Sequence, residues 1–209
     1  TVGGDTLRIR AGGDLTLGNA TVLAGLAGGD AVVLSAGGVF TNNFDPDLLG
    51  DLGIGSQIEL DPDARWLVYL ADPGGGHAFG ALDSGNTAVW NTAYPGAVTA
   101  TGNRYVFAHQ PTATFTANSP SKTYGEAADL AGAFTVSGLH QGVAGAFLAD
   151  TLAGALSGAP LLASGGAAAT AHVGGGSGPG GAYLVSIDGS GVTSPAGYAL
   201  DFVGGLLTV

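Results

Sequence analysis

Apolar and polar residues alternate strictly in short runs near the start of the chain: Leu7 and Ile9 flank Arg8, and Leu15 and Leu17 flank Thr16. A period of two predicts strands with one buried face. The runs are separated by glycine doublets, and the doublets repeat. "GGDTLRIRAGGDLTL" begins at Gly3 and "GGDAVVLSAGGVFTN" at Gly28, so Gly3-Gly4 and Gly28-Gly29 lie 28 − 3 = 25 apart, and Gly12-Gly13 and Gly37-Gly38 lie 37 − 12 = 25 apart. Glycine provides positive φ at a corner, and aspartate can bond its own turn backbone. In this register Gly3 falls above or below Gly28, Leu7 matches Val32, Ile9 matches Leu34 and Leu17 stands opposite Asn42. The double period predicts coils of a right-handed parallel β-helix, stacked about 4.8 Å apart, in preference to an antiparallel meander. About three coils are normally needed to bury a core, so these residues read as the end of a longer solenoid whose other coils precede Thr1.

The period stops at Asn43. "NFDPDLLGDLGIGSQIELDPD" is acidic and aperiodic, and "RWLVYLADP" follows with apolar residues on both faces: Trp66, Val68 and Leu70 on one, Leu67 and Tyr69 on the other. A strand covered on both faces is buried, or is a cap laid over a solenoid end. "NTAVWNTAY" and "NRYVFAHQP" read as two more strands before the break at Pro111. Beyond it "TATFTA", "AFTVSGL", "DTLAGALSG" and "AYLVSIDG" read as strands, and "GGGSGPGG" as a flexible loop. Leu139, Val143 and Phe147, spaced by four, predict one short helix over 141–148. The closing "GYALDFVGGLLTV" reads as a hairpin over Gly204-Gly205, with Tyr198, Leu200 and Phe202 on one buried face.

Composition agrees with an all-β chain rich in turns. Forty of 209 residues are glycine without a Gly-X-Y period, which excludes collagen, and only 10% are charged. The net charge of −11, with Lys122 the single lysine, leaves no basic stripe for nucleic acid or an anionic membrane surface. No apolar run is long enough to span a bilayer as a helix, so no membrane insertion is expected. Cysteine is absent, which removes disulfides and thiolate chemistry, and methionine is absent too. With no signal peptide visible, the chain reads as a piece of a longer precursor.

On "SKTYGE" (Ser121–Glu126), "AFTVSGL" (Ala133–Leu139) and "GYALDFVGGLLTV" (Gly197–Val209), the second half resembles the MBG family of β-grasp modules in bacterial surface proteins. The family usually carries Asn where Gly197 stands. "RWLVYLADP", Trp90 and "GNRYVFAHQPT" make the first half similar to the end of a filamentous-haemagglutinin-type β-helix of two-partner-secreted exoproteins. The resemblance implies a β-helix end and cap over residues 1–110 and an MBG-like module over 111–209. It also implies a secreted or surface-bound Gram-negative protein, an adhesin or biofilm component, and it transfers no catalytic residue.

Candidate chemistry is sparse. His77, His109, His140 and His172 lie far apart with no zinc spacing. Gly176-x-Gly178-x-x-Gly181 matches a dinucleotide fingerprint only formally: no strand precedes it, no helix follows, and Pro179 sits inside. Calcium is the one cofactor with candidate oxygens, from Asp45, Asp47, Asp51, Asp61 and Asp63 beside Glu59. Neither an EF-type loop nor the solenoid calcium repeat is complete, so no cofactor is expected. Trp66, Tyr69, Trp90 and Tyr94 are candidates for stacking on sugar rings, although large aromatics mostly serve packing. The reading is of a mainly β, non-enzymatic structural or adhesive segment. Its expected partners are a host or neighbouring-cell surface, a matrix component, or itself through sheet edges. A carbohydrate-binding or polysaccharide-cleaving β-helix is one alternative, and a filament subunit assembled by strand-edge pairing is another.

Overall fold

The computed structural model describes residues 2–18, 23–25, 28–44 and 57–209, and these are mainly β. They divide into two compact units: Thr1–Gln110 with His140–Asp150, and Pro111–Leu139 with Thr151–Val209.

In the first unit the chain lays down strands in rotation. β1 (Val2–Gly4), β2 (Leu7–Ala11) and β3 (Leu15–Leu17) are followed by β4 (Leu23–Gly25), β5 (Gly29–Ala36) and β6 (Phe40–Asn42), then by β7 (Ile58–Leu60), β8 (Ala64–Leu70) and β9 (Arg104–Phe107). Every pairing among them is parallel, in the columns β1-β4-β7, β2-β5-β8-β9 and β3-β6. The register of β2 on β5 puts Leu7 beside Val32 and Ile9 beside Leu34, and β3 on β6 puts Leu17 beside Asn42, at the 25-residue spacing of the sequence. It holds through the glycine corner, where Gly37 N donates to Ala11 O at 3.0 Å and Gly38 N to Gly13 O at 2.9 Å. A side chain on Gly37 or Gly38 would collide with Gly12 O or Asp14 Oδ1 in the turn beside it. The first doublet departs from the period. Gly3 pairs with Ala24, not Gly28, because β1 and β4 form a separate column in which the offset is 21 residues, 24 − 3.

Parallel columns covered on both sides need apolar residues on successive positions, and β5 and β8 supply them. Ala31 to Leu34 and Trp66 to Leu70 are all buried. Val33, Leu67, Tyr69 and Val106 form one cluster with Val98, while Trp66 meets Tyr105 edge-on at 5.2 Å on the other side of β8. Two buried amides interrupt this apolar stack. Asn42 Nδ2 donates to Gln57 Oε1 at 3.0 Å and Gln57 Nε2 donates to Asn42 Oδ1 at 2.8 Å, while Phe79 O and Phe44 N complete the Asn42 bonds. Each polar atom withdrawn from water thus gains a partner. Residues 86–94 form no continuous strand. They bridge β9 at Val89, with Val89 N donating to Tyr105 O and Phe107 N to Val89 O, and so cover the outer edge of that column.

The second unit holds two small sheets. In one, β10 (Thr112–Ala117) lies between β11 (Phe134–Ser137), to which it is antiparallel, and β14 (Ala199–Val203), to which it is parallel. In the other, β13 (Tyr183–Asp188) lies between β12 (Leu161–Ala163) and β15 (Gly205–Leu207), antiparallel to both. Four local expectations change in the second half of the chain. The closing residues are not a hairpin: β14 and β15 never pair with one another, and Gly204 passes the chain from one sheet to the other. β14 stands at a sheet edge, so Phe202 is half-buried, stacked on Phe115 at 5.2 Å, whereas Leu207 is fully buried. Residues 141–148 are not a helix, because Gly142 and Gly145 adopt φ of 70° and 75° and fold them into a turn. The short helix, α1 (Leu152–Ala155), forms instead where a strand was expected, its N-cap Thr151 accepting from Gly154 N. The glycine-rich loop is closed on itself, with Gly176 N donating to Gly181 O at 2.8 Å and Gly178 N to Ala182 O at 2.8 Å.

Candidate functional site

Among the described residues, aromatic side chains gather into a cluster in the first unit. Trp90 stacks on Phe107 at 5.1 Å with 20° between planes, and Phe79 meets Tyr105 edge-on at 4.9 Å. Phe147 joins from the turn at 143–147, with its ring 5.4 Å from Phe107, 5.8 Å from Tyr105 and 6.0 Å from Phe79. The polar atoms of the cluster are engaged. Trp90 Nε1 donates to Asp150 Oδ2 at 2.8 Å, and the Tyr105 hydroxyl donates to Leu82 O at 2.7 Å. Burial, reinforced by Asp83, drives the Tyr105 phenol far above its ordinary value, so it stays protonated and donating. His140 lies 4.8 Å from Trp90, and its Nδ1 accepts from Gly142 N at 2.9 Å. Burial lowers its pKa; Asp150 opposes the shift and His109 adds to it.

The four sugar-stacking candidates therefore fare differently. Trp66, Tyr69 and Trp90 are 3%, 5% and 2% exposed and present no free ring face. Packing places them there: Tyr69 also donates its hydroxyl to Gly96 O at 2.7 Å, and burial, with Asp30 as the next cause, raises its pKa. Tyr94 alone is half-exposed. It meets Tyr69 edge-on at 5.3 Å, carries the Arg10 guanidinium 5.6 Å from its ring centre, and borders a cavity of about 180 Å³ with Ala36, Gly37 and Ala71.

Of the calcium candidates, Asp45, Asp47 and Asp51 lie outside the described residues. Asp61 and Asp63 are exposed, and their backbone carbonyls accept from Ala64 N and Gly29 N. Among the described residues no three His, Asp or Glu side chains converge as metal ligands do, and no helix is long and apolar enough to cross a membrane.

Four of the other carboxylates share an employment that turn chemistry predicts. Asp72, Asp83, Asp129 and Asp188 each accept a hydrogen bond from the backbone N–H two residues on. Asp14 accepts from Val39 N at 2.8 Å, 25 residues on. Asp30 accepts from Arg65 Nε at 2.6 Å, while the rest of that guanidinium donates to Val98 O at 2.7 Å and to Ala100 O. Arg65 is thus a clamp across β5, β8 and the 98–100 segment. His77 is committed as well: Nδ1 accepts from Phe40 N at 2.9 Å, which leaves the proton on Nε2 to donate to Asp72 O at 2.8 Å.

The sequence pattern did not reveal Phe147 and Asp150 as members of the aromatic cluster, since neither neighbours it in sequence. The available signal was Gly142 and Gly145, which argue against a helix and for a turn that projects its apolar residues. No family model, curated protein or solved structure matches the chain.

Proposed function

We propose that the chain is a non-enzymatic structural and adhesive segment of a large secreted bacterial surface protein. In this reading the first unit is the end of a right-handed parallel β-helix and the second is a β-grasp module of the MBG type. The observation that carries it is the 25-residue register held by β2 on β5 and β3 on β6. A chain that repeats parallel rungs lengthens by adding units, which suits a stalk or display surface rather than a shaped reaction pocket. The uniform right-handedness of parallel crossovers supports the hand. β10, antiparallel to the neighbouring β11 and parallel to the late β14, supports the second assignment. The employment of aspartates in turns and of aromatics in packing is consistent with a scaffold.

The purified chain coupled to beads, presented to epithelial cells, bacterial cells and matrix proteins, tests the reading. Saturable binding to at least one of these is expected. Release of sugar fragments from polysaccharides by the purified chain would replace the proposal with the enzymatic alternative. Absence of binding to every surface, together with absence of self-association, would remove the adhesive part.

A further inference from the structure

The chain has five lysine and arginine side chains, and three of them are spent on the fold. Arg65 bonds Asp30 and the carbonyls of Val98 and Ala100, Arg104 donates to Thr87 O and Thr101 O, and Lys122 donates to Glu126 O and Ala168 O. Arg8 and Arg10 are employed differently. They stand two residues apart on β2, exposed and on one face, and among the described residues neither has a hydrogen-bond or ion-pair partner. Arg10 meets the Tyr94 ring, its guanidinium 5.6 Å from the ring centre.

The sheet register leads from this pair to a cavity. Arg10 pairs with Ser35 and Ser35 with Tyr69, so the three side chains share one side of the sheet. Ser35, Tyr69 and Tyr94 line the cavity of about 180 Å³. Ser35 is only 7% exposed, yet among the described residues its hydroxyl has no hydrogen-bond partner. Hydroxyls so far withdrawn from water are ordinarily paired. Among the described residues no polar side-chain atom is sealed from solvent without a partner, so the Ser35 oxygen opens on the cavity that it lines.

We propose that this cavity and its arginine rim bind one sugar unit bearing a carboxylate, such as a uronic acid at the end of a glycan. The carboxylate pairs with Arg8 and Arg10, the C–H face of the ring packs against Tyr94, and a ring hydroxyl bonds Ser35. Guanidinium–carboxylate pairs are charge-assisted and stronger than neutral hydrogen bonds. A concave, mostly apolar cavity with a few placed polar groups suits a small ring. A neutral sugar would leave both guanidinia without a partner. A long polyanion or an anionic membrane would meet the repulsion of a chain whose net charge is −11, whereas one carboxylate adds less charge than the two arginines carry. The inference goes beyond the adhesive reading, because a free sugar can bind whether or not the chain attaches to a surface.

The purified full chain is titrated with methyl glucuronide and, in parallel, with methyl glucoside, which lacks the carboxylate; binding is read by saturation-transfer NMR. The glucuronide is expected to saturate the site, with its ring C–H protons most strongly marked, and the glucoside to bind at least about tenfold more weakly. Arg8→Gln with Arg10→Gln changes two exposed side chains, so the circular dichroism spectrum should be kept while glucuronide affinity falls about tenfold or more. Ser35→Ala should weaken the glucuronide as well. Absence of saturable glucuronide binding overturns the proposal, as do equal affinities for the two sugars, full affinity in the double arginine variant or full affinity in Ser35→Ala. An aspartate-rich peptide or phosphatidylserine vesicles that bind as tightly through the same two arginines would make the rim a plain charge patch and overturn the sugar assignment.

Discussion

The two units bury their side chains differently. Among the described residues, the twelve largest fully buried side chains include Trp90, Tyr105, Phe40 and Phe107, and only Leu207 of the twelve belongs to the second unit. The second unit instead leaves large apolar groups in water, with Leu161 72%, Val173 69% and Leu184 60% exposed. Its inner cluster is built from Ala117, Leu130, Val185 and Leu207. In the first unit β5 and β8 bury successive residues on both faces, which suits packing by large rings, whereas burial alternates along β10 and β13 of the second unit, so only one face of each strand is covered. The difference teaches where mutations should hurt. A residue of given size matters more in the first unit, even when it is contributed from far along the sequence.

Phe147→Ala is the largest test of that contrast. It removes a ring 2% exposed that packs against five other aromatic rings of the first unit, so a loss of about 3–5 kcal/mol is expected, read by chemical denaturation with tryptophan fluorescence as the probe. A loss below about 1 kcal/mol, the size of an ordinary surface change, would show that the turn at 143–147 is an accessory to that core.

Phe202→Ala sharpens the other side. The ring is half-buried, lying on Phe115 and over Gly189, where a side chain would collide with it. About 2 kcal/mol is expected, less than a fully buried phenylalanine loses. Gly189→Ala should destabilise through the same ring, and combining the two substitutions should cost less than their sum. Strict additivity would mean the ring and the glycine are not coupled.

A third test uses pH. The pKa of His140 is lowered in the folded state, chiefly by burial, so the unfolded chain binds the proton more readily. A base of this kind leaves stability unaffected well above the unfolded value of about 6.5 and costs stability as pH falls through and below it. The melting temperature of the first unit should therefore drop between neutral and mildly acidic pH, and His140→Asn should flatten that slope. A slope of equal size in the variant would move the effect to another group.

What the sequence disclosed follows the same division. The pairs Leu7–Val32, Ile9–Leu34 and Leu17–Asn42 were readable because a repeat writes its register twice, and glycine doublets mark where each rung turns. Gly3 defeated the same logic because an extra glycine pair is no marker when its strand belongs to a column with another offset. In the second unit no repeat exists. The GG at 204–205 looks like a hairpin turn in any local window, and only the pairing partners of β14 and β15, many residues away, decide that it is a passage between sheets. The aromatic cluster was half-legible for a similar reason: Trp90, Tyr105 and Phe107 are close in sequence, whereas Phe147 arrives from a distant turn that no spacing encodes.

The smallest expected effect concerns metal. If the rings and apolar columns hold the first unit together, chelation should leave it nearly unchanged, because Asp61 and Asp63 are exposed and the aspartates with assigned bonds are held by backbone N–H groups, by Arg65 or by the Trp90 indole. The expected change in melting temperature on adding EDTA is below about 5 °C, which for a unit of this size corresponds to roughly 1 kcal/mol. A larger fall, restored by calcium and not by magnesium, would mean that oxygen ligands from the acidic stretch add a metal-borne term to the first unit. The contrast between the units would then lie in a bound cation as much as in buried rings. Asp61→Asn and Asp63→Asn would separate these cases, since both should be neutral if packing alone is responsible and should abolish the EDTA response if these two carboxylates are ligands.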